Sequence, residues 1–109
     1  MRDRADLEAV LRTWAEGTGI GRHQVGLLVC MEGADPILEP KQVEEWYARG
    51  VRAVGPAWAA TRYAGGTGEP GPLTGLGRAL LEVMADLGMV LDLSHAAEEA
   101  YFQALDRYE

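Results

Sequence analysis

The sequence has little of what marks secreted, membrane-spanning or nucleic-acid-binding proteins. Its single cysteine, Cys30, permits no intrachain disulfide, which is typical of a reducing compartment. No apolar run approaches the roughly 20 residues that a membrane span needs, and the charged start MRDRADLEAV lacks the apolar core of a signal peptide. The net charge of −7 opposes binding to a phosphate backbone. We therefore expect a cytoplasmic protein with no membrane segment and no nucleic-acid partner.

Length and composition predict a single globular domain over residues 1–109, with 48% hydrophobic and 25% charged residues. The stretch VGLLVCM, residues 25–31, is almost continuously apolar. Such a run is typical of a parallel strand that is buried on both faces. Within it, Cys30 is expected to be a small buried hydrophobe.

Helical and strand-like patterns alternate along the chain. Leu7, Val10, Leu11 and Trp14 share one face of a helix over residues 4–16. Trp14, like Trp46 and Tyr47 of the next helix, is expected in the core. The remaining elements are a helix from Pro40 to Gly50, a strand at 51–54, a loop at 55–73, a helix capped by Thr74 and closed by Gly88, a strand at 89–93 and a helix at 96–108.

The order α-β-α-β-α-β-α predicts an α/β fold with parallel strands joined by right-handed crossovers. Two glycine-rich stretches interrupt this pattern. AGGTGEPGP, from residue 64, lacks the GK[ST] ending of a phosphate loop, and no strand leads directly into it, so a flexible loop is expected. GTGIG, from residue 17, follows a helix instead of a strand, which argues against a dinucleotide-binding turn.

Functional residues of parallel α/β folds lie at the carboxyl ends of the strands. Glu32 follows the first predicted strand, residues 55–58 follow the second, and His95 follows the third. A carboxylate and an imidazole that converge on one rim suit a zinc site. Two plainer interpretations remain open, since His95 could be a structural residue at a strand–helix junction and Glu32 a solvated loop acid. His23 lies on the amino side of the first strand, and Ser94 is expected to cap the last helix.

Three stretches together resemble the membrane dipeptidase family, also called renal-type dipeptidases. They are MEGADPI, WYARGVRAVGPAW and GPLTGLGRALLEVMADLGMVLDLSH, and the similarity covers roughly residues 25–105. The resemblance implies a TIM-like barrel with two zinc ions at its carboxyl rim, which hydrolyses dipeptides or other small amides. It implies that Glu32 bridges the two ions and that His95 binds one of them. Trp58 stands where some members have a substrate-contacting histidine, and it is a candidate for the substrate pocket.

The chain also departs from this family pattern. The H-x-D ligand pair of the family has no counterpart before Glu32, and neither a further histidine ligand nor the late catalytic aspartate follows His95. The resemblance therefore implies a middle segment of the barrel, about three βα units of eight. We expect these residues alone to be inactive, and to need self-association or a complementary chain to cover the open strand edges.

Two other functions compete with a dipeptidase. A non-enzymatic remnant, or a small α/β interaction module, would keep the fold pattern without a complete metal site. A compact doubly wound regulator domain usually carries a lysine late in the chain, whereas the only lysine here is Lys41.

Overall fold

A three-stranded parallel sheet with helices packed against it forms the centre of the computed structural model, which describes residues 1–15, 21 and 23–108. The strands lie in the order β1-β2-β3, and β2 pairs in parallel with both neighbours. The elements are α1 (Arg4–Ala15), β1 (Val29–Glu32), a 3₁₀ turn (Pro40–Gln42) that leads into α2 (Val43–Ala48), β2 (Val51–Gly55), α3 (Gly75–Asp86), β3 (Val90–Leu91) and α4 (Glu98–Leu105). The predicted order of elements and the parallel pairing are therefore confirmed.

Local sequence signals explain where α2 and α3 begin and end. The side chain of Thr74 accepts a hydrogen bond from the backbone N–H of Gly77, so it caps α3 as expected. Gly88 adopts a φ of 62° just after this helix, and Gly50 adopts a φ of 107° just after α2. Glycine reaches these left-handed conformations without steric cost, which lets the chain turn directly into the next strand.

The hydrophobic core lies between the sheet, helices α2 to α4 and the long loop after β2. Tyr63 from this loop is fully buried, and its hydroxyl donates a 2.6 Å hydrogen bond to the carbonyl oxygen of Ile37. Burial raises the pKa of the Tyr63 hydroxyl, so the group remains a neutral donor. Among the described residues, the other large, fully buried side chains are Ile37, Val43, Val54, Pro56, Leu73, Leu80, Leu81 and Met84.

Strand β1 differs from its prediction in both length and burial. It begins at Val29 and most of its residues are exposed, including Cys30. The expectation of a strand buried on both faces, with Cys30 as a core residue, is therefore wrong. The physical reason is that β1 lies at the edge of the sheet, where the described residues cover it only in part.

Helix α1 forms where the periodicity predicts it, but it contributes no residue to the core. Trp14 is 57% exposed, so its assignment to the core is wrong, whereas Trp46 and Tyr47 of α2 do pack against the core. An amphipathic helix needs an apolar surface to cover, and the described part of the chain offers α1 too little of one. None of the helices in the described residues is long and apolar enough to cross a membrane.

The long loop after β2 has more internal structure than its glycine content predicts. Isolated β-bridges join Ala60 to Gly65, Ala64 to Leu73 and, across to the segment before α4, Gly66 to Ala96. The interpretation of this stretch as a flexible loop is therefore incomplete, because backbone hydrogen bonds fix its course. Glycines at these points let one backbone approach another more closely than any side chain would permit.

Candidate functional site

Glu32 stands at the carboxyl end of β1, where the chain leaves the sheet. Its backbone is in register with Gly55, the last residue of β2. The next residue, Gly33, has a φ of 86°, which turns the chain away from the sheet directly after the carboxylate. This geometry leaves the Glu32 side chain at the carboxyl rim, where functional residues of parallel sheets lie.

His95 follows β3 by four residues and is placed by a turn that Asp92 organises. The N–H of Asp92 bonds to the carbonyl of Val54 at 3.0 Å, so the alignment with β2 continues past the end of β3. The Asp92 carboxylate then accepts hydrogen bonds from the hydroxyl and from the N–H of Ser94. These bonds lower the pKa of Asp92 below its usual value, and the bond from the Ser94 hydroxyl has the larger effect. The turn delivers His95 to the same rim as Glu32.

Ser94 does not cap the last helix, contrary to the sequence-based expectation. Helix α4 begins at Glu98, and its N-cap residue, Ala97, provides no side-chain hydrogen bond. The hydroxyl of Ser94 is engaged by Asp92 two residues earlier. An acid followed two residues later by a backbone donor is a common turn arrangement, and the D-L-S order could have indicated it. Sequence analysis missed this role of Asp92.

The side chains of Glu32 and His95 meet at this rim. Nε2 of His95 lies 2.6 Å from Oε1 of Glu32, a hydrogen-bonding distance that requires a proton between them. The Glu32 side chain is 62% exposed and that of His95 is 35% exposed, so both can reach a ligand from solvent. The structure thus brings together the two residues that the sequence singled out.

Trp58 lies beside this pair, on the loop that follows β2. Its ring centroid is 6.2 Å from that of His95, and the two rings meet edge to face at 65°. Together with Ala59, Thr67, Gly68 and His95, the indole lines a cavity of about 240 Å³. The cavity opens next to the carboxylate–imidazole pair, and apart from His95 its lining carries no ionisable side chain.

His23, the second histidine, packs elsewhere. Its ring stacks on Trp14 with 4.3 Å between the ring centroids, and its Nδ1 lies 2.8 Å from the carbonyl oxygen of Thr13. This arrangement joins the segment before β1 to α1. It agrees with the placement of His23 away from the carboxyl rim.

The types of donor at the rim fit zinc, but their number is too small. Glu32 offers a carboxylate oxygen and His95 an imidazole nitrogen, both ordinary zinc ligands. Catalytic zinc sites use three protein ligands, and the described residues contain no group of three or more His, Cys, Asp or Glu side chains that could hold a metal ion. The carboxylate of Asp92 is already engaged by Ser94. Among the described residues, this pair could supply at most two ligands to such a site.

Solved structures with a similar fold include two metallopeptidases. One is a metallopeptidase from Rhodobacter sphaeroides, liganded with a phosphinate mimic of the dipeptide L-Ala-D-Ala; it is 26% identical, with a TM-score of 0.69 over 75% of this chain and 26% of that chain. The other is dipeptidase AC, a metallopeptidase of family M19; it is also 26% identical, with a TM-score of 0.68 over 74% of this chain and 27% of that chain.

Sequence comparison gives the same family. An uncharacterized protein in the PQQ-III 3′ region of Acinetobacter calcoaceticus is 29% identical in an alignment of 93 positions that covers 76% of this chain and 30% of that protein. The chain therefore spans less than a third of the length of these relatives. Residues 4–108 match the family described as Membrane dipeptidase (Peptidase family M19). The chain belongs to the membrane dipeptidase family, peptidase family M19.

Proposed function

We propose that this chain supplies two metal ligands, Glu32 and His95, to a zinc-dependent dipeptidase site that hydrolyses dipeptides or small amides. The observation that carries the proposal is the 2.6 Å contact between His95 Nε2 and Glu32 Oε1 at the carboxyl rim. Membership of a family of dipeptidases supports the reaction class. The dipeptide mimic bound to the similar Rhodobacter sphaeroides metallopeptidase supports the substrate class.

Each residue has a definite role in this proposal. Glu32 would hold two zinc ions through its carboxylate, and His95 would hold one of them through its imidazole. The proton that the pair now shares must leave before a metal binds, because an imidazole nitrogen coordinates only through its free lone pair. When bound, zinc ions lower the pKa of a water molecule and polarise the carbonyl group of the scissile amide.

Trp58 is proposed as a wall of the substrate pocket. The cavity it lines with Ala59, Thr67, Gly68 and His95 lies directly beside the proposed ligands. An indole face offers a large apolar surface, so it can pack against a dipeptide and exclude water from one side of the reacting amide.

We propose further that these residues form a middle segment of a TIM-like barrel and that they do not hydrolyse dipeptides alone. Two protein ligands are one short of a catalytic zinc site. Val29 at the start of β1 is exposed, and so are three apolar residues of the segment just before it, Val25, Leu27 and Leu28; we call these four residues the β1 edge. Self-association or a complementary chain would cover the β1 edge. A reducing, cytoplasmic compartment fits the single cysteine, which is exposed.

A second function is a non-enzymatic remnant or a small α/β interaction module. The incomplete ligand set favours it, since the described residues contain no group of three potential metal ligands. In that case the Glu32–His95 contact would be an ordinary surface hydrogen bond, which contributes little to stability.

Zinc titration by calorimetry separates the two functions. We expect zinc to bind to the wild-type chain, and Glu32→Gln and His95→Ala each to lower its affinity by about tenfold or more. His23→Ala is the matched control, because this histidine lies away from the rim, and it should leave the affinity unchanged. Equal affinities in all four proteins would refute the ligand assignment. Submicromolar, stoichiometric binding to the wild-type chain would contradict the remnant.

Activity gives an independent test. The 109-residue chain should show no dipeptide hydrolysis above background in the presence of zinc. In a complete enzyme that contains this segment, Glu32→Gln and His95→Ala should abolish hydrolysis with little loss of folding, because Glu32 is exposed and His95 is only partly buried. Full hydrolysis rates in both variants would exclude the proposed roles.

A further inference from the structure

A short piece of the loop after β2 connects Trp58, earlier in the same loop, to the segment that carries His95. The N–H of Thr67 lies between two acceptors, 3.2 Å from the carbonyl oxygen of Trp58 and 3.0 Å from that of His95. The hydroxyl of Thr67 adds a 3.3 Å contact to the same His95 oxygen. The carbonyl of Gly65 accepts a 3.1 Å hydrogen bond from the N–H of Ala97. We call residues 65–67 the bridging segment.

The bridging segment reaches these partners only because it lacks side chains at two positions. A Cβ atom on Gly66 would lie 2.4 Å from the carbonyl oxygen of Trp58 and 2.5 Å from that of Ala59. A Cβ atom on Gly65 would lie 2.2 Å from the backbone nitrogen of Gly71. All three distances are far inside van der Waals contact with backbone atoms, which cannot move aside without displacing their loops.

His95 depends on this support because regular structure does not hold it. Strand β3 ends at Leu91 and α4 begins at Glu98, so His95 lies in a connection that belongs to neither element. The turn at Asp92 fixes one side of this connection, and the bridging segment fixes the other through the carbonyl of His95 itself. A small movement of this carbonyl would carry the imidazole away from Glu32.

From this geometry we infer that Gly66 and Thr67 are positioning residues for the site. The N–H of Thr67 donates to the carbonyls of both Trp58 and His95, and Gly66 permits the close approach that these bonds need. Together they set the imidazole of His95 against Glu32 and the indole of Trp58 against His95. The inference deepens the proposed function and rests on it for the role of zinc. The positioning of the two rings, however, can be measured without any metal.

The test compares two glycine substitutions in the same loop of the 109-residue chain. Gly66→Ala forces a clash with the Trp58 and Ala59 carbonyls, whereas Gly71→Ala meets its nearest atom at 3.7 Å, an ordinary contact. In the metal-free protein, NMR should show that Gly66→Ala loses the nuclear Overhauser contact between the Trp58 and His95 rings and that Gly71→Ala keeps it. In calorimetry, Gly66→Ala should lower the zinc affinity by about 10- to 100-fold. Gly71→Ala should match the wild type.

If Gly66→Ala fails to fold, a second pair of variants tests whether the bridging segment positions the two rings. Thr67→Val removes the hydroxyl contact to His95 and keeps the shared N–H, so we expect a loss of zinc affinity of about two- to tenfold and a weaker ring contact. Thr67→Ser restores the hydroxyl and should restore both readouts. A merely structural role would change the thermal midpoint without changing the ring contact.

The outcomes separate this inference from the proposed function. If Glu32→Gln and His95→Ala leave zinc binding unchanged, the proposed function fails, and the metal-free ring contact still tests the positioning. If Gly66→Ala folds and keeps the ring contact of the wild type, the inference is overturned. It is equally overturned if Gly71→Ala disturbs the rings as much as Gly66→Ala, or if Thr67→Val matches the wild type in both measurements.

Discussion

Nε2 of His95 and Oε1 of Glu32 lie 2.6 Å apart across the carboxyl rim of the sheet, although 63 positions separate these residues in sequence. Parallel strands in register produce this closeness. Glu32 ends β1 opposite Gly55 of β2, and the segment after β3 stays aligned with β2 through the bond from Asp92 N–H to Val54. Neighbouring strands are about 4.8 Å apart, so β1 and β3, which lie on either side of β2, are separated by roughly 10 Å. The Glu32 side chain and the turn that carries His95 close this gap across the end of β2.

The turn that carries His95 should lose stability in acid. The pKa of Asp92 is lowered by the hydrogen bonds from Ser94, so its ionised form is the one that the fold stabilises. This stabilisation is fully present above the usual value of 3.8 and is lost as the pH falls through the folded-state pKa. We expect Asp92→Asn to lower the free energy of unfolding by at most about 1 kcal/mol at neutral pH.

The difference between wild type and Asp92→Asn should shrink as the pH falls from about 7 to about 3, as measured by urea unfolding at each pH. Ser94→Ala serves as the comparison. It removes the hydroxyl that donates to Asp92, so its free energy of unfolding should depend less on pH in this range than that of the wild type. A difference that grows towards acid would contradict the assigned sign.

Loss of the Tyr63 hydroxyl should destabilise the core without changing its shape. The hydroxyl is buried and donates to the Ile37 carbonyl, so Tyr63→Phe leaves a buried acceptor unpaired. We expect the free energy of unfolding to fall by about 1–3 kcal/mol. Tyr101→Phe is the control at an exposed tyrosine, with an expected change within about 0.5 kcal/mol. Equal effects in urea unfolding would show that the Tyr63–Ile37 bond is not the cause.

Two glycines of α3 should respond oppositely to alanine. Alanine normally favours a helix over glycine by up to about 1 kcal/mol. At Gly75 the new methyl group would meet only the Arg78 side chain, at 3.8 Å, so Gly75→Ala should be neutral or stabilising. At Gly77 it would lie 2.1 Å from the carbonyl oxygen of Tyr63, so Gly77→Ala should cost about 1–3 kcal/mol. Thermal unfolding of both variants measures these two changes in stability. A stabilised Gly77→Ala would show that the loop carrying Tyr63 moves aside at little cost in free energy.

The exposed β1 edge should drive association in solution. We expect light scattering to give a mass above the 11.8 kDa of one chain, and Leu27→Glu to bring it closer to that value. Leu38→Glu introduces the same charge at an exposed leucine outside the β1 edge, so it should leave the mass unchanged. A well-folded wild-type monomer would count against the proposal that a second copy or a complementary chain covers this surface.

Much of the fold could be predicted because its signals are local. Apolar periodicity predicted α1 and α3, the side chain of Thr74 starts α3, and glycines after α2 and α3 mark where the chain turns. Alternation of strands and helices was enough to predict parallel pairing. That pairing in turn indicated that Glu32 and His95 would leave the sheet at the same end, and the structure places them in contact. Their role as zinc ligands stays a prediction.

Other features could not be predicted, because they depend on partners distant in sequence. VGLLVCM reads as a buried strand, but burial depends on what covers a strand, and Cys30 on the edge of the sheet is exposed. Trp14 is exposed for the same reason. Serine is a common helix N-cap residue, but the hydroxyl of Ser94 donates to the Asp92 carboxylate instead. Glycine permits many conformations, so the sequence AGGTGEPGP predicts a flexible loop, and only the contacts of the bridging segment across the fold select one conformation.

The sequence by itself determined the order of the elements, the parallel sense of the sheet and the end of the sheet at which Glu32 and His95 lie. These follow from residue periodicity and from the handedness of βα connections, which neighbouring residues encode. Only the tertiary structure decided which apolar residues are covered and how the imidazole of His95 is held against Glu32. Burial and hydrogen bonding across a fold are properties of pairs of segments, and no single segment carries that information.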